Sequence, residues 1–334
     1  MTTNNQSFET FLFAGMALDP LHVGTGGTRL GRVDNTIVRD PVTRIPKIPG
    51  SSIAGVMRAY VAMGNEKYPD CAGLGKSEQD GTGGHCGKAD CPVCAVFGFA
   101  TKKGIDTSSG FAGLAAFSDM NVLLFPVASQ LGPQWITSPM ALRQAGIGEL
   151  PGLDDSPVVY RKEDKASAQH LNLGWLYLPV KTKTDLLDKI VQGIEELLTK
   201  KSGIPSHITK SLGVVSDKLF THIVNSNLEV RTSVAIDPAT GAAQEKALFT
   251  YEALPRGTVL FWELTCRNPK HFKIGTDDVK VVNSPEKVRD VVVNAHAYLE
   301  HLGIGGMGSR GMGRLSVLTE YPSNAEKPGK EVTQ

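Results

Sequence analysis

Ile45-Pro46-Lys47-Ile48-Pro49-Gly50-Ser51-Ser52-Ile53-Ala54-Gly55-Val56-Met57-Arg58 is the segment on which the fold reading rests. Pro46 and Pro49 punctuate a turn, and Ser51 or Ser52 is placed to cap a helix. Ile53, Val56, Met57 and Tyr60 then recur at helical spacing, which predicts a helix over 53–63. Upstream, Phe8 to Leu18 is short, apolar and strand-like, and a Gly-rich stretch, Val23 to Gly31, leads to Asp34 and the apolar-polar run Asn35 to Arg39. Downstream, Gly113 to Phe117 and Val122 to Val127 read as strands, and Thr137 to Leu142 as a helix start. Pro151 to Gln169 is polar and irregular, and Leu186 to Lys200 is an amphipathic helix.

The C-terminal third continues the alternation. Val230 to Ala235 and Ala247 to Glu252 flank Asp237-Pro238-Ala239-Thr240-Gly241, a hairpin with its turn. Thr258 to Thr265 alternates as a strand, and Pro285 to Leu302 reads as one helix with proline in its first turn and Gly303 past its end. Arg314 to Thr319 is a last strand, and the polar tail from Pro322 is expected to be disordered. The order strand, helix, strand, strand, helix, strand is the split βαβ pattern of an α+β, ferredoxin-like (RRM-like) domain, which many RNA-binding domains share.

Composition narrows the class. The 334 residues carry 35 Lys and Arg against 34 Asp and Glu, with 41% apolar residues, so a full core is affordable and intrinsic disorder is excluded. A net charge of +1 argues against nucleic-acid binding by bulk charge alone. No apolar run approaches the roughly 20 residues of a membrane span, and the start of the chain does not read as a secretory signal, so a cytoplasmic protein is expected. Cys71, Cys86, Cys91 and Cys94 lie within 24 residues, and in a reducing compartment such clustering points to metal before disulfides.

Four features can carry chemistry. Six of the 11 residues from Gly303 to Gly313 are glycine, with Arg310 among them. Such a loop lets backbone N–H groups approach a phosphate, which assigns Gly305, Gly306, Gly308, Ser309 and Arg310 to ligand contact rather than to a plain connector. Ser51 and Ser52 at a helix start, with Lys47 and Arg58 nearby, suit a phosphate too, although on spacing alone an ordinary capped helix is the better reading. Cys91-Pro92-Val93-Cys94 is a CxxC knuckle, and Cys71, His85 and Cys86 compete to complete four ligands around a structural Zn²⁺; Cys266 stands apart as a core thiol. Asp34 has no distinction by composition, and no Ser-His-Asp signature is present.

Together these residues resemble the RAMP superfamily, the RNA-binding subunits of CRISPR effector complexes. The resemblance runs through LHVGTGGTRLGRVDNTIVRD (Leu21 to Asp40), IPKIPGSSIAGVMR (Ile45 to Arg58), CPVCAVFG (Cys91 to Gly98), FSDMNVLLFPVASQLGPQWITSPMAL (Phe117 to Leu142), VRTSVAIDPATGAAQEKALFTYEALPRGT (Val230 to Thr258) and GIGGMGSRGMGRLSV (Gly303 to Val317). The middle runs are similar to the repeated backbone subunit of Cmr (type III-B) effectors. CPVC…FG and GSRGMGR look more like its Csm (type III-A) counterpart.

The resemblance implies a layout: a palm over 8–66, 113–150 and 255–320, a zinc-stapled finger insertion over 67–104, and a helical or irregular region over 151–225. A thumb hairpin over 226–254 and a tail over 322–334 complete it. Several copies would line a CRISPR RNA as a filament beside other type III subunits, with no membrane involved. The thumb would displace one nucleotide at intervals of about six, while base pairing to the guide reads the target single-stranded RNA. The target would be cut beside each displaced nucleotide by Asp34, assisted by Mg²⁺ or another divalent metal, with the RNA 2′-OH as nucleophile. A non-cleaving architectural subunit and a guide-processing endonuclease relying on His22 are the competing expectations.

Overall fold

The computed structural model describes residues 6–26, 33–73, 84–100, 110–148, 156–162, 169–198 and 206–319. The expected tail and part of each Gly-rich or polar insertion (27–32, 74–83, 101–109, 149–155, 163–168, 199–205) lie outside the described residues.

In chain order the first strands are β1 (Phe8–Ala17), β2 (Lys47–Ile48), β3 (Ala115–Phe117), β4 (Met120–Val127) and β5 (Gln134–Thr137). They are followed by β6 (Val159–Arg161), β7 (His170–Leu173), β8 (Leu176–Thr182) and β9 (Leu212–Val214). The last are β10 (Glu229–Ile236), β11 (Ala243–Ala253), β12 (Val259–Arg267), β13 (Lys273–Ile274), β14 (Asp277–Asp278) and β15 (Leu315–Val317). The helices are α1 (Gly50–Gly64), α2 (Pro92–Phe97), α3 (Pro139–Gln144), α4 (Thr184–Leu197), α5 (Ser206–Lys210), α6 (Asp217–Ser226), α7 (Pro285–Val293) and α8 (His296–His301).

One 11-stranded mixed sheet runs β15-β1-β12-β4-β5-β9-β6-β8-β7, with β2 and β3 attached at its side. In its first part, β1 pairs antiparallel with both β12 and β15, and β12 pairs antiparallel with β4. Phe13 stacks on Trp262 from β12 at 5.7 Å between ring centroids, and both are fully buried. Burying each such side chain contributes on the order of 2 kcal/mol. Ile53, Met57 and Tyr60 of α1 point into this core, as their spacing predicted.

Three expectations are corrected. The helix cap is not Ser51 or Ser52: α1 begins at Gly50 after Pro49, with no side-chain cap from the N-cap residue. The Gly50 N–H is instead met by Asp119 Oδ1 at 2.8 Å, from the turn between β3 and β4. A Cβ at Gly50 would collide with the Phe117 carbonyl oxygen, so only glycine lets the helix start this close to the sheet. The predicted helix Pro285 to Leu302 is two, α7 and α8, separated where Ala295 N–H closes a short turn on Val292 O. The polar stretch 151–169 contains β6, which pairs parallel with β8 and antiparallel with β9. Three buried residues without alternation leave no strand signature.

Candidate nucleic-acid interface and metal centre

The hairpin β10–β11 forms its own two-stranded sheet, registered Thr232↔Thr250 and Val234↔Leu248. Its turn lies at the expected residues, with Gly241 N–H bonded to Asp237 O at 2.8 Å. One face presents Val230, Val234 and Leu248 to solvent, and Ile236 near the tip is exposed as well. The opposite face turns Phe249 and Tyr251 inward against Met307 and Met312.

Asp34 lies against the outer edge of β11. Its Oδ2 accepts from Thr250 N at 2.8 Å and Thr250 Oγ1 at 2.9 Å, and its own N–H donates to Thr250 Oγ1 at 3.1 Å. Asn35 continues the pairing: its N–H reaches Thr250 O, and its carbonyl accepts from Glu252 N, both at 3.0 Å. The Thr250 backbone N–H and then its hydroxyl hold the Asp34 carboxyl below the usual aspartate range. An exposed, ionised carboxylate is thus presented at the edge of the hairpin. Arg39 locks the same loop from behind, donating to Glu252 Oε2 at 2.8 Å and Asn225 Oδ1 at 2.9 Å.

The Gly-rich loop Gly303 to Gly313 packs against the residues after β1. Gly306 N–H donates to His22 O and Gly313 N–H to Pro20 O. Gly305 sits at φ +90°, and a Cβ there would strike the His22 carbonyl oxygen. Arg310, exposed, lays its guanidinium over the Phe249 ring at 5.3 Å. The loop therefore packs under the inner face of the hairpin, while the Asp34 segment runs along the edge of β11. His22, 6% exposed, is enclosed beneath the loop, with Nδ1 2.6 Å from Glu252 O.

The cysteine cluster forms a separate centre. The sulfurs of Cys71, Cys86, Cys91 and Cys94 lie within 4.8 Å of one another, Cys86 to Cys94 at 3.7 Å and Cys91 to Cys71 at 4.0 Å. A tetrahedral ion with Zn–S bonds of about 2.3 Å sets its sulfurs about 3.8 Å apart, so the donor set fits a structural metal such as zinc with no open position. The Cys94 thiol donating to Cys91 draws that thiol down to about 5, whereas burial pushes Cys86 up to about 11. His85 is not part of this set. Its Nδ1 faces Arg58 Nη2 at 2.7 Å, and because a guanidinium only donates, that nitrogen accepts. Burial, then the Arg58 cation, lowers its pKa.

A family model described as the RAMP superfamily matches residues 16–316. The chain belongs to the RAMP superfamily. Over 95% of this chain and 97% of the relative, it is 25% identical to the CRISPR system Cmr endoribonuclease Cmr4 of Pyrococcus furiosus. The CRISPR system Cms endoribonuclease Csm3 of Methanothermobacter thermautotrophicus is 38% identical, but over 27% of this chain and 32% of its own. The full-length likeness is thus on the Cmr side, and the Csm likeness covers a shorter part of the chain. Among solved structures, a Type III-B Cmr-beta complex bound to cognate target RNA matches with TM-score 0.59, 15% identity, and 94% and 98% of the two chains covered. The crystal structure of oligomeric Cmr4 from Pyrococcus furiosus matches with TM-score 0.58 and 18% identity, covering 93% and 98%. These likenesses show that the fold is that of RAMP proteins.

The structure distributes the other expected RAMP site residues unevenly. Ser51 is exposed at the start of α1, and Ser52 is half-buried. Lys47 is held between Asp119 at 2.6 Å and Asp40 at 3.6 Å. Arg58 is turned away from that surface, donating to Cys71 O at 2.6 Å and Gly98 O at 2.8 Å, so its expected place with Lys47 at a phosphate is corrected. Thr250, Arg39 and Glu252 escaped the sequence reading. Each acts on a partner more than 200 residues away, and no local pattern announces it. Among the described residues, no helix is long and apolar enough to cross a membrane.

Proposed function

We propose that this chain is the target-cleaving backbone subunit of a type III CRISPR effector. In this reading it binds CRISPR RNA beside further copies of itself and other effector subunits, and cuts complementary RNA at intervals of about six nucleotides. The observation that carries the reading is Asp34: an ionised, exposed carboxylate fixed by Thr250 to the edge of a hairpin whose solvent face carries Val230, Val234 and Leu248. The four strands β15-β1-β12-β4 act as the ferredoxin-like palm, and β10–β11 acts as the thumb.

The solvent face of the thumb, with Val230, Val234 and Leu248, suits insertion between stacked bases, where water is absent. Displacing one nucleotide frees its 2′-OH to line up with the neighbouring phosphate, which is most of what RNA cleavage requires. Asp34, ionised and within reach of solvent, takes the proton from that hydroxyl, and the products are a 2′,3′-cyclic phosphate and a 5′-OH. A divalent ion such as Mg²⁺ would be held by Asp34, water and RNA phosphate, and would offset charge on the scissile group. The Gly306 N–H is taken by His22 O, so the backbone N–H groups of Gly305 and Gly308, with Ser309 and Arg310, hold the guide. Cys71, Cys86, Cys91 and Cys94 hold a structural zinc.

His22 lies enclosed beneath the Gly-rich loop, which disfavours the guide-processing reading. The test is Asp34→Ala in the assembled complex with a complementary RNA: cleavage is abolished, while guide and target binding persist. Cuts at unchanged positions would refute the assignment.

A further inference from the structure

We infer that Arg58 is a built-in counter-cation of the cysteine metal centre and the brace that joins its ligand-bearing segments. This rests on the reading that Cys71, Cys86, Cys91 and Cys94 hold zinc.

The charge argument comes first. Four thiolates around Zn²⁺ leave a net charge of −2, and Cys71, Cys91 and Cys94 are 1%, 3% and 0% exposed. A buried net charge is tolerated when an opposite charge and hydrogen bonds accompany it. Arg58 is half-buried beside the cluster.

The geometry is more specific than proximity. Each arm of the guanidinium reaches a different ligand-bearing segment. Nε donates to the carbonyl of Cys71 itself, at 2.6 Å. Nη2 donates to His85, the residue before Cys86, at 2.7 Å. Nη1 donates to the carbonyl of Gly98 at 2.8 Å; Gly98 ends α2, the helix whose first turn carries Cys94 and whose N-cap is Cys91. One planar fork therefore registers all four sulfurs, and it anchors them to α1 in the palm. A lysine supplies the charge without the fork.

Arg58 acts through the ligands, so it is a positioning residue. The experiment uses the full chain, metal-free and reloaded with Co²⁺ or Zn²⁺, as wild type, Arg58→Gln and Arg58→Lys. Wild type takes up one Co²⁺ with sulfur-to-metal charge-transfer absorption. Arg58→Gln is expected to bind Zn²⁺ about 10–100-fold more weakly in chelator competition, the range seen when groups behind metal ligands are removed. It should also lose more thermal stability when loaded than when metal-free. Arg58→Lys, which keeps the charge and is the safer variant to fold, recovers part of the affinity yet releases metal faster than wild type.

Zn²⁺ affinity within twofold of wild type in Arg58→Gln, or equal stability losses with and without metal, would overturn the inference. If wild type itself takes up no Co²⁺, the zinc reading falls first. Normal uptake with an unaffected Arg58→Gln removes only the role of Arg58.

Discussion

Asp119→Ala tests how the palm positions α1. In the wild type, Asp119 Oδ1 accepts the Gly50 N–H at 2.8 Å and Oδ2 pairs with Lys47 at 2.6 Å, while Pro49 supplies no side-chain cap. A residue from a distant turn thus does the work of an N-cap. Losing that bond costs about 1 kcal/mol. Losing a carboxylate at the positive end of α1 costs about 0.5 kcal/mol. The ion pair, with the Asp119 side chain 37% exposed, is screened by solvent and adds only about 0.5 kcal/mol. The total is about 2 kcal/mol. For 334 residues the unfolding entropy is about 0.7 kcal/mol/K, so the thermal midpoint should fall by about 3 °C.

The pH dependence gives a second reading of the same change. Burial raises the Asp119 pKa, but the Lys47 ammonium and the Gly50 N–H outweigh it, and the net shift is downward. A depressed carboxylate stabilises the fold above its unfolded pKa of about 3.9, and that contribution fades as pH falls through the folded value. The gap between wild type and Asp119→Ala should therefore be full at pH 7 and close below about pH 4. Thermal unfolding followed by circular dichroism measures both. An unchanged midpoint at pH 7, or a gap that widens on acidification, refutes the capping argument. The variant also releases Lys47, so if that lysine meets phosphate, RNA binding should tighten and grow more salt-sensitive.

Two further predictions concern the Asp34 segment and the Gly-rich loop. Arg39→Met leaves Glu252 without its cation at a site where the two side chains are 16% and 14% exposed, and chemical denaturation should show a loss of about 2 kcal/mol; no loss would mean the pair does not hold the loop. Gly305→Ala forces a Cβ at φ +90° into the His22 carbonyl, so guide retention on a filter-binding assay should drop while the cysteine centre still loads metal; unchanged retention would detach the Gly-rich loop from the guide.

Local patterns in the sequence were enough to reveal some elements and not others. The apolar run of β1, the spacing along α1, the Pro-Ala-Thr-Gly turn and the CxxC knuckle each lie within one short window, and each was readable. Exclusion of His85 from the thiol set was not, because it depends on where Arg58 points. Arg58 itself looked like a surface cation beside Ser51 and Ser52, since helical spacing alone does not say what lies opposite its face. Asp34 stood out by resemblance alone, and the group that orients it, Thr250, lies 216 residues away. The parallel pairing of β5 with β9 was equally hidden, because Leu212–Val214 is too short to show a period.

The pairing of Asp34 and Asn35 with β11 also bears on solubility. A free-standing hairpin with exposed apolar residues and an open flank is a template for strand addition and aggregation. The Asn35 N–H and carbonyl saturate Thr250 O and Glu252 N at the base of β11, so a neighbouring chain cannot add there. The segment that carries the carboxylate is therefore also a guard. Deleting it would expose the backbone groups of Thr250 and Glu252 on β11 and invite self-association, whereas a single substitution at Asp34 keeps the Asn35 pairing and frees only the Thr250 N–H.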